Sequence, residues 1–494
     1  MIKIEINQLM ESSGVQFGTS GVRGLVADMT DQVCWAYVTG FLQYLKDNNL
    51  VQDGDDVGIA GDLRDSSPRI MNAAAQAVLD SGLQPINYGT IPSPAIALYG
   101  LHRSISTIMV TGSHIPDDRN GIKFNTPLGE ILKTDEQGIK AQRVSIDHHL
   151  FSSKGDLLAG PVLPEMTEAA EQHYIDRFIQ FFPKDCLKNK KIGLYEHSSV
   201  ASVCLKAILQ ALGAEVTALG YSDKFISVDT EAIRPEDVVL GKKWAKEYQF
   251  DCIISTDGDG DRPLISDEFG NWLRGDVAGI LCAQYLKIDI VVTPVSSNTA
   301  VEKSALFKQV VRTKIGSPYV IEAMNNAQNE GRNNVAGYEA NGGFLQHTSI
   351  NKGSKILMAL PTRDAAIVPL SILMLTIKDN TTVSGLLANL PQRFTSSDRL
   401  KDFPTHRSQQ ILANMVVNDD ASNLANITEL FTNMGKAISL DQTDGLRITF
   451  DNGEIVHLRP SGNAPELRCY NEADTEQRSK ELNQSCMEIL VNWR

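Results

Sequence analysis

Three times in this chain a run of β-branched and apolar residues stops abruptly in a polar, glycine-containing loop: STIMVTGSHIPDDRNG from Ser106, FDCIISTDGDGDRP from Phe250, and NNVAGYEANGG from Asn333. Helical patterns lie between these runs. Strands alternating with helices imply parallel βαβ units, whose ligands bind at the carboxyl ends of the strands. All three loops therefore lie where chemistry is expected. The C-terminal part reads differently. LRITF, the turn DNGE and IVHLRP form a hairpin signal, followed by ELRCY and a helical tail that ends at Arg494. That pattern predicts a separate α+β domain.

A chain of 494 residues exceeds what one hydrophobic core usually serves and argues for about three or four domains. With 42% hydrophobic and 21% charged residues, it has the apolar material for several cores and no disordered signature. The expected joints are polar stretches near 155–170, around Gly275 and at 395–408, giving domains at 1–160, 161–275, 276–395 and 396–494.

The formal charge of −14 disfavours nucleic acid and anionic membranes as partners, because both are polyanions. An anionic small molecule would need local arginine and lysine. Seven cysteines without CxxC spacing read as small buried hydrophobes in a reducing compartment. The start, MIKIEINQLMESS, carries Glu5 and Glu11 where a signal peptide needs apolar residues, so a cytoplasmic protein is expected. The stretch from Ala365 to Ile377 is interrupted by Pro369 and Ser371 and is shorter than the roughly 20 residues that span a bilayer.

The loops differ in the chemistry they offer. In Thr111-Gly112-Ser113-His114-Ile115-Pro116 the glycine lets backbone approach a bulky anion while Ser113 presents its hydroxyl. A serine there could carry phosphate; the plain alternative is a turn in which Ser113 satisfies its own backbone. The hydrolase elbow G-x-S-x-G is absent. Asp257, Asp259 and Asp261 alternate in TDGDGDR, and carboxylates so close repel unless a divalent cation neutralises them. An EF-hand would use Asp257, Asp259, Asp261 and Glu268 at positions 1, 3, 5 and 12 of its loop. It fails because Arg262 stands where glycine is required and because a strand-like run, not a helix, precedes the loop. Three ligands with open positions suit Mg²⁺ bridging to a phosphate, which Arg262 could also grip. Arg459-Pro460-Ser461-Gly462-Asn463 contains the parts of a phosphate cradle, though also those of an ordinary turn. Glu339 and Asn341 alternate in YEANGG and could hold neighbouring sugar hydroxyls.

Taken in order, these loops resemble the α-D-phosphohexomutase family, over most of the chain. The resemblance begins at FGTSGVRG from Phe17, continues with GDLRDS from Gly61, and runs through TGSHIP, DGDGDR, YEANGG and RPSGNAPELR. Two departures stand out: Asn341 replaces the serine usual in the sugar loop, and Asn463-Ala464 stands where Thr-Glu is usual in the phosphate loop. The resemblance implies three similar α/β domains plus a smaller C-terminal α+β domain around a central cleft. It implies an intramolecular phosphotransferase that interconverts hexose 1-phosphate and hexose 6-phosphate through phospho-Ser113 and a hexose 1,6-bisphosphate. Mannose phosphates are the expected substrates; a phosphoglucomutase or phosphoglucosamine mutase is the alternative. Outside that class stand an EF-hand-like calcium-binding protein and a non-catalytic sugar-phosphate-binding module.

The resemblance further implies one Mg²⁺ per chain on Asp257, Asp259, Asp261 and Ser113, and glucose or mannose 1,6-bisphosphate as activator. Arg23, Arg64 or Arg262 would lie near the phosphoryl oxygens. Lys123 would be the general acid/base, with His114 assisting. Glu339 and Asn341 would hold the sugar, and Arg459, Ser461, Gly462, Asn463 and Arg468 the substrate phosphate. The expected assembly is a monomer or weak homo-oligomer.

Overall fold

Each of the three loops joins two antiparallel strands. In the computed structural model, which describes residues 2–147, 149–158, 160–461 and 465–494, the strand Ser106–Val110 leads into the Ser113 loop and the chain returns antiparallel as Arg119–Thr126. Cys252–Thr256 returns as Pro263–Ile265, and Val335–Tyr338 returns as Phe344–Gln346. The expected parallel pairing lies on the other side of the first two strands. Ser106–Val110 pairs in parallel with Asp56–Gly61, and Cys252–Thr256 with Lys191–Tyr195. Every residue of Ser106–Val110 and Cys252–Thr256 is buried, which explains why these runs read as continuous rather than alternating apolar sequence. Their loops are too short for a crossover helix, so the chain folds back and pairs with the strand it has left.

The fold is mixed α/β and forms two compact units, one comprising the chain through Asp289 with Ser317–Leu386, the other Ile290–Gly316 with Leu387–Arg494. In the first unit, one sheet runs Gln16–Phe17, Gly21–Leu25, Arg119–Thr126, Ser106–Val110, Asp56–Gly61, Gln84–Thr90, with Gly129–Glu130 paired to Arg119–Thr126. Its core gathers Trp35, Tyr37 and Phe41 of the helix Asp31–Asp47 against Ile59, Ile108 and Phe124. Thr30 caps that helix by accepting from the Val33 N–H at 3.3 Å. A second sheet runs Glu215–Leu219, Lys191–Tyr195, Cys252–Thr256, Pro263–Ile265. The helix Pro235–Tyr248, with proline at its start, packs Trp244 on Tyr195 and Phe250. A third antiparallel set runs Val335–Tyr338, Phe344–Gln346, Leu360–Asp364.

The apolar stretch from Ala365 becomes the buried helix Ile367–Lys378, which packs on Gly275–Leu286. Pro369 falls in its first turn, where the backbone N–H has no intrahelical partner to lose. No helix among the described residues is long and apolar enough to cross a membrane.

In the second unit, Ile290–Pro294 and Gln309–Thr313 pair in parallel. A five-stranded antiparallel sheet runs Phe394–Leu400, Leu467–Ala473, Ile455–Pro460, Leu446–Phe450, Ala437–Asp441. The predicted hairpin is its centre. The helix Glu476–Val491, capped by Thr475, buries Leu482, Cys486 and Leu490 in the core of that sheet.

Candidate active site

Ser113 sits in left-handed backbone, φ 54°, just beyond the strand Ser106–Val110. A non-glycine residue there is strained and persists only where its surroundings hold it. Arg64 does much of that holding. Its guanidinium donates to the carbonyls of Ser113 (3.0 Å), Ile115 (2.7 Å), Pro116 (2.8 Å) and Arg119 (3.1 Å), and its Nε lies 3.1 Å from Asp62 Oδ2. Phe225 stacks on it at 3.8 Å. Asp62 in turn accepts from Thr111 Oγ1 and Ser67 Oγ. With these N–H groups bonded to loop carbonyls, Arg64 braces the loop from behind. The Ser113 hydroxyl donates to Asp257 Oδ2 at 2.6 Å and lies 3.3 Å from His114 Nδ1.

Asp257, Asp259 and Asp261 are all buried, and one carboxylate oxygen from each lies within 4.8 Å of the others. The Asp261 and Arg262 N–H groups donate to Asp257 Oδ1. Gly258 is required by proximity: a Cβ there would come 2.9 Å from the Ser113 carbonyl oxygen and 2.8 Å from Phe225. Lys123 Nζ lies 2.5 Å from Asp259 Oδ2 and 2.6 Å from Asp261 Oδ2. Ser93 also donates to Asp259 Oδ2. Arg363 Nε donates to Asp261 Oδ2 at 3.0 Å, and Arg262 Nε lies 3.9 Å from Asp257 Oδ2. Arg23 and Lys123 come from one sheet face, since Gly21 pairs with Lys123 and Arg23 with Gly121 in the antiparallel register.

The buried Asp259 Oδ1 and Asp261 Oδ1 accept no hydrogen bond from any described residue. Buried carboxylate oxygens left over in a three-aspartate cluster fit a hard divalent cation. The cluster is not an EF-hand: Cys252–Thr256 before it is a strand, and Glu268 accepts from the Ser384 N–H and hydroxyl instead of facing the triad.

Burial raises the Asp257 carboxyl, and the charges of Asp259 and Asp261 raise it further. At Asp259 burial is outweighed by Lys123 and Ser93, and at Asp261 by Arg363, Lys123 and Arg262, so both are held below the usual carboxylate range. Burial would lower Lys123, but Asp259 and Asp261 prevail and raise it. Lys123 is thus an ammonium group in this structure. Burial, then Arg262 and Arg23, depress the His114 imidazole to about 2. Burial, then Arg262 and Arg363, lower Arg23 to about 10.

In the third loop Glu339 is buried and its Oε2 accepts from Arg363 NH1 at 3.2 Å. Asn341 Oδ1 accepts from the Gly343 N–H at 2.9 Å, and its carbonyl accepts from Thr230 Oγ1. The asparagine carbonyl oxygen thus orders its own turn.

Family models of phosphoglucomutase/phosphomannomutase domains match the chain in sequence: alpha/beta/alpha domain I over 14–149, domain II over 172–270, domain III over 274–394 and the C-terminal domain over 412–489. A phosphomannomutase of Salmonella muenchen is 44% identical over 95% of this chain and 94% of its own length. The chain belongs to the phosphoglucomutase/phosphomannomutase family. A phosphomannomutase of Sinorhizobium fredii is 41% identical over 97% of this chain and 99% of its own. In fold, the chain is similar to the crystal structure of a phosphoglucomutase/phosphomannomutase family protein from Burkholderia thailandensis, with TM-score 0.72 at 17% identity, covering 96% of each chain.

The C-terminal family domain places Arg459 at the end of the strand Ile455–Pro460, where its Nε donates to Asp444 Oδ2 at 2.8 Å. The Ser461 N–H donates to the Glu466 carbonyl. Arg468 lies on the next strand with its Nε 3.8 Å from Glu466 Oε2. Gly462 and Asn463 lie outside the described residues. Within the first unit, sequence reasoning missed Arg363, the buried cation between the aspartate loop and the Glu339 loop, and Ser93. Neither lies in a motif of the family signature as read from the sequence. Arg363 follows Leu-Pro-Thr, which gives no periodic signal for a strand.

Proposed function

We propose that this phosphohexomutase interconverts mannose 1-phosphate and mannose 6-phosphate by way of phospho-Ser113 and mannose 1,6-bisphosphate. The observation that carries the reading is the Ser113 hydroxyl, 2.6 Å from one carboxylate of a buried aspartate triad that lysine and arginine already surround. Phosphoryl transfer calls for alignment and charge neutralisation more than for a strong nucleophile. The local charges balance: Arg23, Lys123, Arg262 and Arg363 stand against Asp257, Asp259, Asp261 and Glu339. A phosphoserine brings a charge of about −2, which a divalent cation cancels.

Asp257, Asp259, Asp261 and the phosphorylated Ser113 would hold Mg²⁺, which when bound supplies charge neutralisation at the phosphoryl oxygens. Glu339 and Asn341 hold ring hydroxyls so that the free sugar hydroxyl faces phospho-Ser113. The bond from phosphorus to Ser113 Oγ breaks as the bond to the sugar oxygen forms, with Arg262 and Arg23 on the phosphoryl oxygens. Lys123, an ammonium group, gives a proton to Ser113 Oγ as that oxygen leaves phosphorus and takes one back from the sugar hydroxyl, with His114 assisting at Ser113 Oγ. The bisphosphate then turns over and returns its other phosphate to Ser113; added glucose or mannose 1,6-bisphosphate would prime the resting enzyme. Arg459, Ser461, Gly462, Asn463 and Arg468 are assigned to substrate phosphate. Segments 1–160, 161–275, 276–395 and 396–494 are assigned, in order, the phosphoserine, metal, sugar and phosphate loops. The reading carries a cytoplasmic enzyme, monomeric or weakly oligomeric, that works without nucleic acid or membrane.

A coupled assay comparing mannose 1-phosphate, glucose 1-phosphate and glucosamine 1-phosphate tests it, with Ser113→Ala in parallel. Mannose 1-phosphate should rank first, Ser113→Ala should show no turnover, and intact mass should show one phosphate on the wild type only. Undiminished turnover by Ser113→Ala would refute the covalent role, and a different ranking would refute the sugar.

A further inference from the structure

Arg363 spans the two loops that the proposed reaction must keep in register. Its Nε donates to Asp261 Oδ2 at 3.0 Å and its NH1 to Glu339 Oε2 at 3.2 Å, and the side chain is only 5% exposed. A planar guanidinium bonded to two carboxylates fixes their separation and orientation, which a lysine ammonium on a flexible stem does not.

The position is built to hold this fork still. On the strand Leu360–Asp364, the neighbours on either side are both pinned. Thr362 Oγ1 donates to Glu130 Oε2 at 3.0 Å, and Glu130 also takes the hydroxyls of Ser20 and Ser317. Asp364 Oδ1 accepts from the Tyr174 hydroxyl at 2.6 Å. The Arg363 stem lies across Gly343, where a Cβ would come within 2.5 Å of both Arg363 Cγ and Cδ. This accounts for the second glycine of EANGG: Gly343 has ordinary backbone, since it is not among the residues of positive φ, so what it supplies is room.

We propose that Arg363 is a specificity-determining positioning residue. It engages Glu339 Oε2 from the side of the aspartate loop, so that the remaining carboxylate oxygen meets the ring hydroxyls in one orientation, registered against the phosphoryl group on Ser113. The inference rests on the proposed mutase reaction and deepens it: the sugar ranking is set through this fork as well as by Glu339 and Asn341.

The test uses two full-length variants that disturb the fork by different routes. Arg363→Met removes it. Gly343→Ala leaves the arginine in the sequence but drives a methyl group into its stem. Both should lower kcat for mannose 1-phosphate on the order of 100-fold, the scale of a misplacement of about 1 Å, with a smaller change in KM. Both should bring the kcat/KM ratio of mannose to glucose 1-phosphate toward one. Arg363→Lys should restore charge but not the ranking. Folding is checked by circular dichroism, and either folded variant suffices. Wild type active while a folded variant keeps its kcat and sugar ranking would overturn this inference alone. Wild type inert toward all three hexose 1-phosphates would overturn the proposed function and this inference with it.

Discussion

At the scale of single residues, the arginines of the first unit divide into those that hold the loops and those that face the chemistry. Arg64 is fully buried against Asp62 and four loop carbonyls, so removing it strands a buried carboxylate. Breaking a buried ion pair from one side costs about 3–5 kcal/mol. Arg64→Met should lower unfolding free energy in urea by that amount and lose turnover because the Ser113 loop loses its support. Arg23 is the reverse case. Burial, then Arg262 and Arg363, act against its charge, so Arg23→Met relieves both the desolvation and the repulsion. It should retain or gain stability while turnover falls on the order of 10²-fold, the scale of one lost electrostatic contact in a transition state. Equal stability losses in the two variants would remove the distinction.

At the scale of elements, the strands before the three loops were legible because burial on both faces leaves a continuous apolar run. Their antiparallel returns were not, since Arg119–Thr126 and Phe344–Gln346 owe their pairing to partners rather than to a pattern of their own. The strand Leu360–Asp364 was less legible still. It opens Leu-Pro and ends Arg-Asp, yet both charges are buried because Asp261, Glu339 and Tyr174 reach them from distant sequence.

The predicted strand Ile455–Pro460 hides a similar group. His457 is 2% exposed, with Nε2 2.6 Å from the Asp444 carbonyl oxygen. Burial outweighs that bond and lowers the imidazole to about 4. An unfolded histidine titrates near 6.5. The folded value is the lower one, so the neutral ring's stabilisation is complete above about pH 6.5 and is lost as pH falls toward 4. From these two values the loss between about pH 7 and 4.5 is roughly 2–3 kcal/mol. His457→Gln should show an acid-side fall in urea stability shallower than wild type by that amount; parallel curves would count against it.

At the scale of the whole molecule, a chain of formal charge −14 is proposed to handle dianionic sugars, which requires a fold that collects cations locally. The first unit does so by drawing Arg23, Lys123 and Arg363 from three separate stretches of sequence to three aspartates that lie close in the chain and share their loop with Arg262. This arrangement bears on how the molecule answers to metal. In the unfolded chain the aspartates keep their spacing but lose the orientation that points one oxygen from each into a common space, so a divalent cation binds the folded form more tightly. A ligand that prefers the folded form raises stability by about 2.7 kcal/mol at one hundred times its dissociation constant. Lys123 and Arg363 already contact Asp259 and Asp261 and compete with the metal, so the gain should lie below that of an uncompensated triad at equal metal concentration. The heat-unfolding midpoint should therefore rise from EDTA to saturating Mg²⁺, and turnover should stop in EDTA and return with Mg²⁺. Asp259→Asn should abolish both responses. A wild-type midpoint and turnover indifferent to chelation would mean that the triad serves the fold alone.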